Sequence, residues 1–84
     1  MFSNWAIKKA EIRQDKKDGL GVWCAMCKTN IGLAKEHAIP RVPIAKNGTY
    51  KHDNCIIVCE KCFDETGANH AEEIPYSKLP YYRV

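Results

Sequence analysis

From Asp53 onward the chain reads Asp53-Asn54-Cys55-Ile56-Ile57-Val58-Cys59-Glu60-Lys61-Cys62-Phe63, an apolar run that ends in a cysteine pair. Cys55 to Val58 are β-branched or bulky, the composition of a buried strand. Cys59-x-x-Cys62 follows directly, and Glu60 to Thr66 predict a short helix ended by Gly67. A second pair, Cys24-x-x-Cys27, lies upstream. Two residues between cysteines let both thiolates reach one ion from a single tight turn, and two such turns close a tetrahedral zinc site on Cys24, Cys27, Cys59 and Cys62. The remaining cysteine, Cys55, falls inside the apolar run, where a thiol behaves as a small hydrophobe, so it is assigned to the core.

With 84 residues and 10% aromatics, residues 1–84 form one domain with one small core. A core of this size seldom supplies more than about 3–5 kcal/mol, which makes a stabilising metal the expectation. An odd cysteine number, 5, does not close into disulfides, and no apolar N-terminal run resembles a signal peptide or a span. An intracellular, cytoplasmic, reducing compartment with no membrane partner is expected. The net charge of +3 and a sequence pI near 8.6 permit an anionic partner without demanding one.

Outward from the cysteines, the chain divides into an N-terminal helical segment (1–20), a zinc-bound core (21–67) and an irregular tail (68–84). Ser3 to Asp18 lack Pro and Gly and predict a helix, capped by Ser3 or Asn4 and stopped by Gly19. Trp5 and Ile12, two turns apart, mark its inner face, with Trp5 packing on the core. Gly21-Val22-Trp23 predicts a short extended lead into the first pair. Ile39 to Val42 and Cys55 to Val58 predict a hairpin around Asn47-Gly48, loose at its start because Pro40 and Pro43 cannot donate to a ladder. Pro75, Pro80 and the tyrosines Tyr76, Tyr81 and Tyr82 predict a tail docked by its aromatic rings. His52 reads as a surface residue in a turn, and His70 has no partner visible in sequence.

Between the cysteine pairs lie Glu36-His37-Ala38-Ile39-Pro40, then Gly48, then Asp53-Asn54. Together with the flanking C-x-x-C pairs, this order from Cys24 to about Gly67 resembles the zinc-containing branch of the HNH endonuclease family. The resemblance implies a small α+β fold with a zinc-stabilised ββα-metal core, in which a two-stranded antiparallel hairpin packs on a helix beginning near Cys59. It implies catalytic roles for three residues. His37 would be the general base that activates water, Glu36 would help hold Mg²⁺ or another divalent cation beside the scissile phosphate, and Asn54 would brace the loop bearing His37. Lys35, Arg41 and Lys46 are candidate phosphate contacts, with DNA the expected substrate, RNA also allowed, and a protein partner or larger complex as a further possibility.

The sequence departs from the family immediately after Cys62. There the family places a His or Asn that completes the catalytic metal site, whereas this chain has Phe63, and one helical turn later it has Gly67. Three functions of different classes follow: a metal-dependent endonuclease, an HNH-fold module impaired in catalysis that binds nucleic acid or protein, and a plain zinc-stabilised interaction domain.

Overall fold

Strand Cys55–Val58 is buried on both of its faces, each residue 0% exposed, and the other elements are arranged around it. The computed structural model describes residues 2–14, 21–31, 36–67 and 70–82. Within them, helix α1 (Asn4–Arg13) precedes a short hairpin of β1 (Val22–Trp23) and β2 (Asn30–Ile31). A second hairpin pairs β3 (His37–Pro40) with β4, the buried strand, and helix α2 (Glu60–Thr66) follows at once. The result is a small α+β fold with two antiparallel hairpins and two helices. Among the described residues no helix is long and apolar enough to cross a membrane.

β3 runs from His37 to Pro40, earlier than the expected Ile39 to Val42, in register His37↔Val58 through Pro40↔Cys55. The ladder then changes character. The Arg41 N–H donates to the Asn54 carbonyl at 3.0 Å, and the side chain of Asn54 takes over at Val42. Pro43 and a 3-10 turn over Ile44–Lys46 lead the chain away. Asn47 adopts the left-handed conformation (φ 69°), but it closes this 3-10 turn rather than a two-residue hairpin turn. Gly48 is required by space: a Cβ there would lie 1.9 Å from the Val42 carbonyl oxygen.

Ser3 caps α1, its Oγ accepting from Ala6 N–H at 3.1 Å. The helix ends at Arg13, short of the expected Asp18, because Gln14 leaves helical geometry (φ −105°, ψ 10°). The expected stop at Gly19 lies outside the described residues. The inner face also differs from expectation: Trp5 and Ile12 are 61% and 64% exposed, while Ala6, Ala10 and Gln14 are buried. These three recur every fourth residue and so share one face. Two alanines on that face let the helix backbone come close to β4, which is why α1 buries so little bulk.

Gln14 joins three segments. Its Nε2 donates to the Trp23 carbonyl at 2.8 Å and to the Ile57 carbonyl at 2.7 Å, and its Oε1 accepts from Ile57 N–H at 2.9 Å. Its own carbonyl accepts from Trp23 N–H at 2.8 Å. The amide thus occupies the edge of β4 opposite β3, pairing with it as a neighbouring strand would and carrying β1 along. Ala25 N–H also reaches the Ile57 carbonyl, at 3.0 Å, drawing the first cysteine turn onto the same edge.

The tail docks through Ile74, Leu79 and Tyr82, all buried, with a 3-10 turn over Tyr76–Lys78; of the three tyrosines expected to dock it, Tyr82 is buried, Tyr81 is half-buried and Tyr76 is exposed. The Tyr82 hydroxyl accepts from Arg13 Nη1 at 3.0 Å and donates to the Asp53 carbonyl at 3.3 Å. Arg41 holds the start of the tail, its Nη1 donating to Glu73 Oε1 at 2.6 Å and to the Ile74 carbonyl at 3.2 Å. His70, unpartnered in sequence, lies with its two ring nitrogens at 2.7 Å from the Glu72 carbonyl and 2.5 Å from that of Pro40.

Replacing Gln14 by Ala leaves the buried Ile57 N–H without a partner, a loss of about 1–3 kcal/mol for that group alone. The expected outcome is a lower urea midpoint for zinc-loaded Gln14→Ala than for Ile12→Ala on the exposed face, and equal midpoints would contradict the role assigned to this amide.

Candidate metal centre and its surroundings

Each cysteine pair is presented by its own backbone device. Cys24 and Cys27 sit on the turn joining β1 to β2, where Cys24 N–H donates to the Thr29 carbonyl at 2.9 Å and Lys28 N–H returns to the Cys24 carbonyl at 3.1 Å. Lys28 takes a left-handed conformation (φ 63°) to close this turn, and its ammonium lies over the rings of Trp23 and Tyr81. Cys59 is the N-cap of α2, and Cys62 lies within its first turn.

All four sulfurs fall within 4.8 Å of one another. Cys24 Sγ is 3.6 Å from Cys62 Sγ, and Cys27 Sγ is 3.5 Å from Cys59 Sγ. A zinc ion bonded to four thiolates at about 2.3 Å would separate its ligands by about 3.8 Å. The donor set and its spacing therefore fit one tetrahedral zinc ion. The thiols are all free, and Cys24 and Cys62 are buried.

Without an ion the surroundings of the cluster oppose four thiolates. Burial pushes the Cys24 and Cys62 thiols up. Cys27 is also pushed up by its partial burial, but hydrogen bonds from the Thr29 side chain and backbone and from Cys24 and Cys59 outweigh this and bring it down to about 6. Four thiolates at one point are not sustained without a positive ion, which itself drives their deprotonation. Cys55 stands apart: burial holds its thiol up at about 12, so it remains a neutral core group.

His37 and Glu36 diverge. His37 faces α2, where its ring stacks on Phe63 with centroids 4.1 Å apart and planes 9° from parallel. Glu36 faces Glu11 of α1, and burial together with that second carboxylate raises its carboxyl to about 7. Asn54, buried, clamps the loop after β3: its Oδ1 accepts from Val42 N–H at 2.8 Å, and its Nδ2 donates to the carbonyls of Val42 at 3.0 Å and Thr49 at 2.9 Å. Of the candidate phosphate contacts, Lys46 is exposed and Lys35 lies outside the described residues. Arg41 is held by Glu73 and lies over the Tyr76 ring at 4.1 Å. The structure thus gathers the four cysteines at one point but places Glu36, His37 and Asn54 in three different environments.

Several residues around these sites were not singled out from the sequence for the parts they play. Gln14 was legible in principle from its four-residue spacing to Ala6 and Ala10. Arg13, whose Nη2 hydrogen-bonds the His52 ring and whose Nη1 reaches the His52 carbonyl at 2.6 Å, carries no sequence signal of this kind.

No protein-family description, no curated protein and no solved structure matches the chain.

The geometry leads to two expected outcomes. Because protons compete with the metal for thiolates, zinc affinity should fall as pH is lowered, with protons released on binding; a competition titration with a chromophoric chelator at two pH values measures this, and a pH-independent affinity would exclude thiolate ligation. For Glu36, the folded carboxyl titrates near 7 against an ordinary 4.5, so folding takes up a proton between these values. Its stabilising contribution is complete below about 4.5 and is lost as pH rises through about 7. Glu36→Gln should therefore raise the urea midpoint relative to the parent at pH 8 and change it little at pH 5.

Proposed function

We propose that this chain is a zinc-stabilised module on an HNH-type scaffold that binds nucleic acid without hydrolysing it. The observation that carries the reading is the stack of Phe63 on His37. Phe63 stands where the family resemblance requires a group that binds the catalytic ion, and an apolar ring cannot supply one. Its face covers one side of the imidazole that would activate water.

The placement of Glu36 supports the same conclusion. A hard divalent cation takes six or more oxygen ligands, with the protein contributing carboxylates aimed at one point. Glu36 meets one other carboxylate among the described residues, Glu11. Among the described residues, the four cysteines are the one group of three or more His, Cys, Asp or Glu side chains close enough to share an ion, and their thiolates select zinc. The chemistry left to the chain is therefore structural: Cys24, Cys27, Cys59 and Cys62 would hold the ion, and the β3-β4-α2 order is compatible with the hairpin and helix that the resemblance implies.

Nucleic-acid binding is supported by the motif order from Cys24 to Cys62 and by the net charge of +3. Two or three phosphate contacts would lower affinity for duplex DNA roughly ten- to fifty-fold as salt rises from about 50 to about 200 mM.

The test is to incubate zinc-loaded protein with supercoiled plasmid and with single-stranded DNA in Mg²⁺, Mn²⁺ or Ni²⁺, beside His37→Ala. We expect no nicking above background in either protein, with a salt-dependent gel shift in both. Nicking by the parent that His37→Ala abolishes would restore the endonuclease, and a gel shift insensitive to salt would remove the phosphate-binding reading.

A further inference from the structure

The face of the molecule at the start of α1 carries large aromatic side chains that stay exposed in the fold. Trp5 is 61% exposed and Tyr50 is 48% exposed. Each is nevertheless held by a second ring. Trp5 meets the His52 ring edge-on at 5.1 Å, and Tyr50 meets the Phe2 ring edge-on at 5.4 Å. His52 is itself fixed, since Arg13 donates to its Nδ1 through Nη2 and to its carbonyl through Nη1. An imidazole that accepts a hydrogen bond at Nδ1 carries its proton on Nε2. Trp5, Tyr50 and His52, together with Lys51 and Asp53, line a cavity of about 440 Å³.

Cations accompany the rings. Lys9 Nζ lies 5.5 Å from the centre of the Trp5 ring, Lys51 lines the cavity, and Arg13 backs His52. Within the lining itself Lys51 is matched by one carboxylate, Asp53, and Lys9 and Arg13 lie beside it. Pre-oriented aromatic faces with Lys9 and Lys51 at their side suit a ligand that is planar and flanked by anionic groups. Unpaired bases on a phosphate backbone have that form, because each base offers a π-face and its phosphates meet the lysines. In a duplex the base faces are already stacked on one another and cannot enter.

We infer that the Trp5–Tyr50–His52 cavity is a stacking site for unpaired bases of single-stranded nucleic acid. This deepens the proposed function and rests on it, adding both the place of contact and the strandedness of the ligand. Trp5 and Tyr50 stack the bases, and Lys9 and Lys51 contact the flanking phosphates.

The experiment uses the zinc-loaded full chain and a dye-labelled oligothymidylate of about twelve nucleotides, beside a duplex of equal length, read by fluorescence anisotropy and by quenching of tryptophan emission. The variants are Trp5→Ala, Trp5→Phe and Tyr50→Ala, with Ile12→Ala as a control on the exposed face of α1 outside the cavity. The single strand is expected to bind more tightly than the duplex and to quench tryptophan. Trp5→Ala should weaken single-strand binding by roughly 5- to 100-fold and abolish the quenching, Trp5→Phe should recover most of the affinity, and Ile12→Ala should leave it unchanged. Trp5→Ala and Tyr50→Ala that both bind the single strand as the parent does would overturn the stacking site while leaving nucleic-acid binding in place. A parent that binds neither oligonucleotide at low salt would overturn both, and would leave the exposed rings to a protein partner.

Discussion

Four sulfurs converge from two turns that are distant in sequence, and most of the architecture follows from that meeting point. Cys24 and Cys27 fix the β1–β2 hairpin, while Cys59 and Cys62 fix the junction of β4 with α2. A structural zinc in such a small domain is worth roughly 10–16 kcal/mol, more than a core of this size supplies alone. Bringing the pairs together also closes the segment that contains β3 and β4, so the hairpin is held at both ends. Gln14 extends the same assembly to α1: one side-chain amide gives the edge of β4 the partners it would find in a third strand.

The parts of the fold readable from sequence were those set by local chemistry. The C-x-x-C spacing, the apolar run Cys55 to Val58 and the short helix ended by Gly67 depend on neighbouring residues, and sequence shows neighbours well. The burial of Cys55 was legible for the same reason. The length of α1 was not, because it is decided by Gln14 reaching Trp23 and Ile57, a contact between positions far apart in the chain. The inner face of α1 misled for a related reason. Bulky Trp5 and Ile12 look like core residues, yet a helix seated close on a strand uses Ala6 and Ala10 there and turns its bulk outward.

At the candidate site the division is similar. The order Glu36, His37, Asn54 and Phe63 was plain, but their separation was not. His37 turns to α2 and Glu36 to α1, so two adjacent residues of the motif take part in different pieces of chemistry, one a ring stack and the other a carboxylate pair. Whether adjacent residues cooperate is settled by which elements flank them, and the motif alone does not contain that information. Arg41 shows the same limit: a cation in a basic loop becomes, once folded, the anchor of the tail on Glu73 and Ile74.

The Asn54 clamp bears on how freely this module can vary. By bonding both Val42 and Thr49, one amide seals the base of the loop between β3 and β4, so the constraint on the loop falls on residues at that base, Gly48 among them, and not on its exposed residues. Extending a flexible loop is inexpensive in free energy, about 0.6 kcal/mol for each doubling of its length. The exposed residues Ala45 and Lys46 sit at the far side of that seal. Substitutions and insertions at these exposed positions can therefore accumulate while the cysteine cluster and core stay intact.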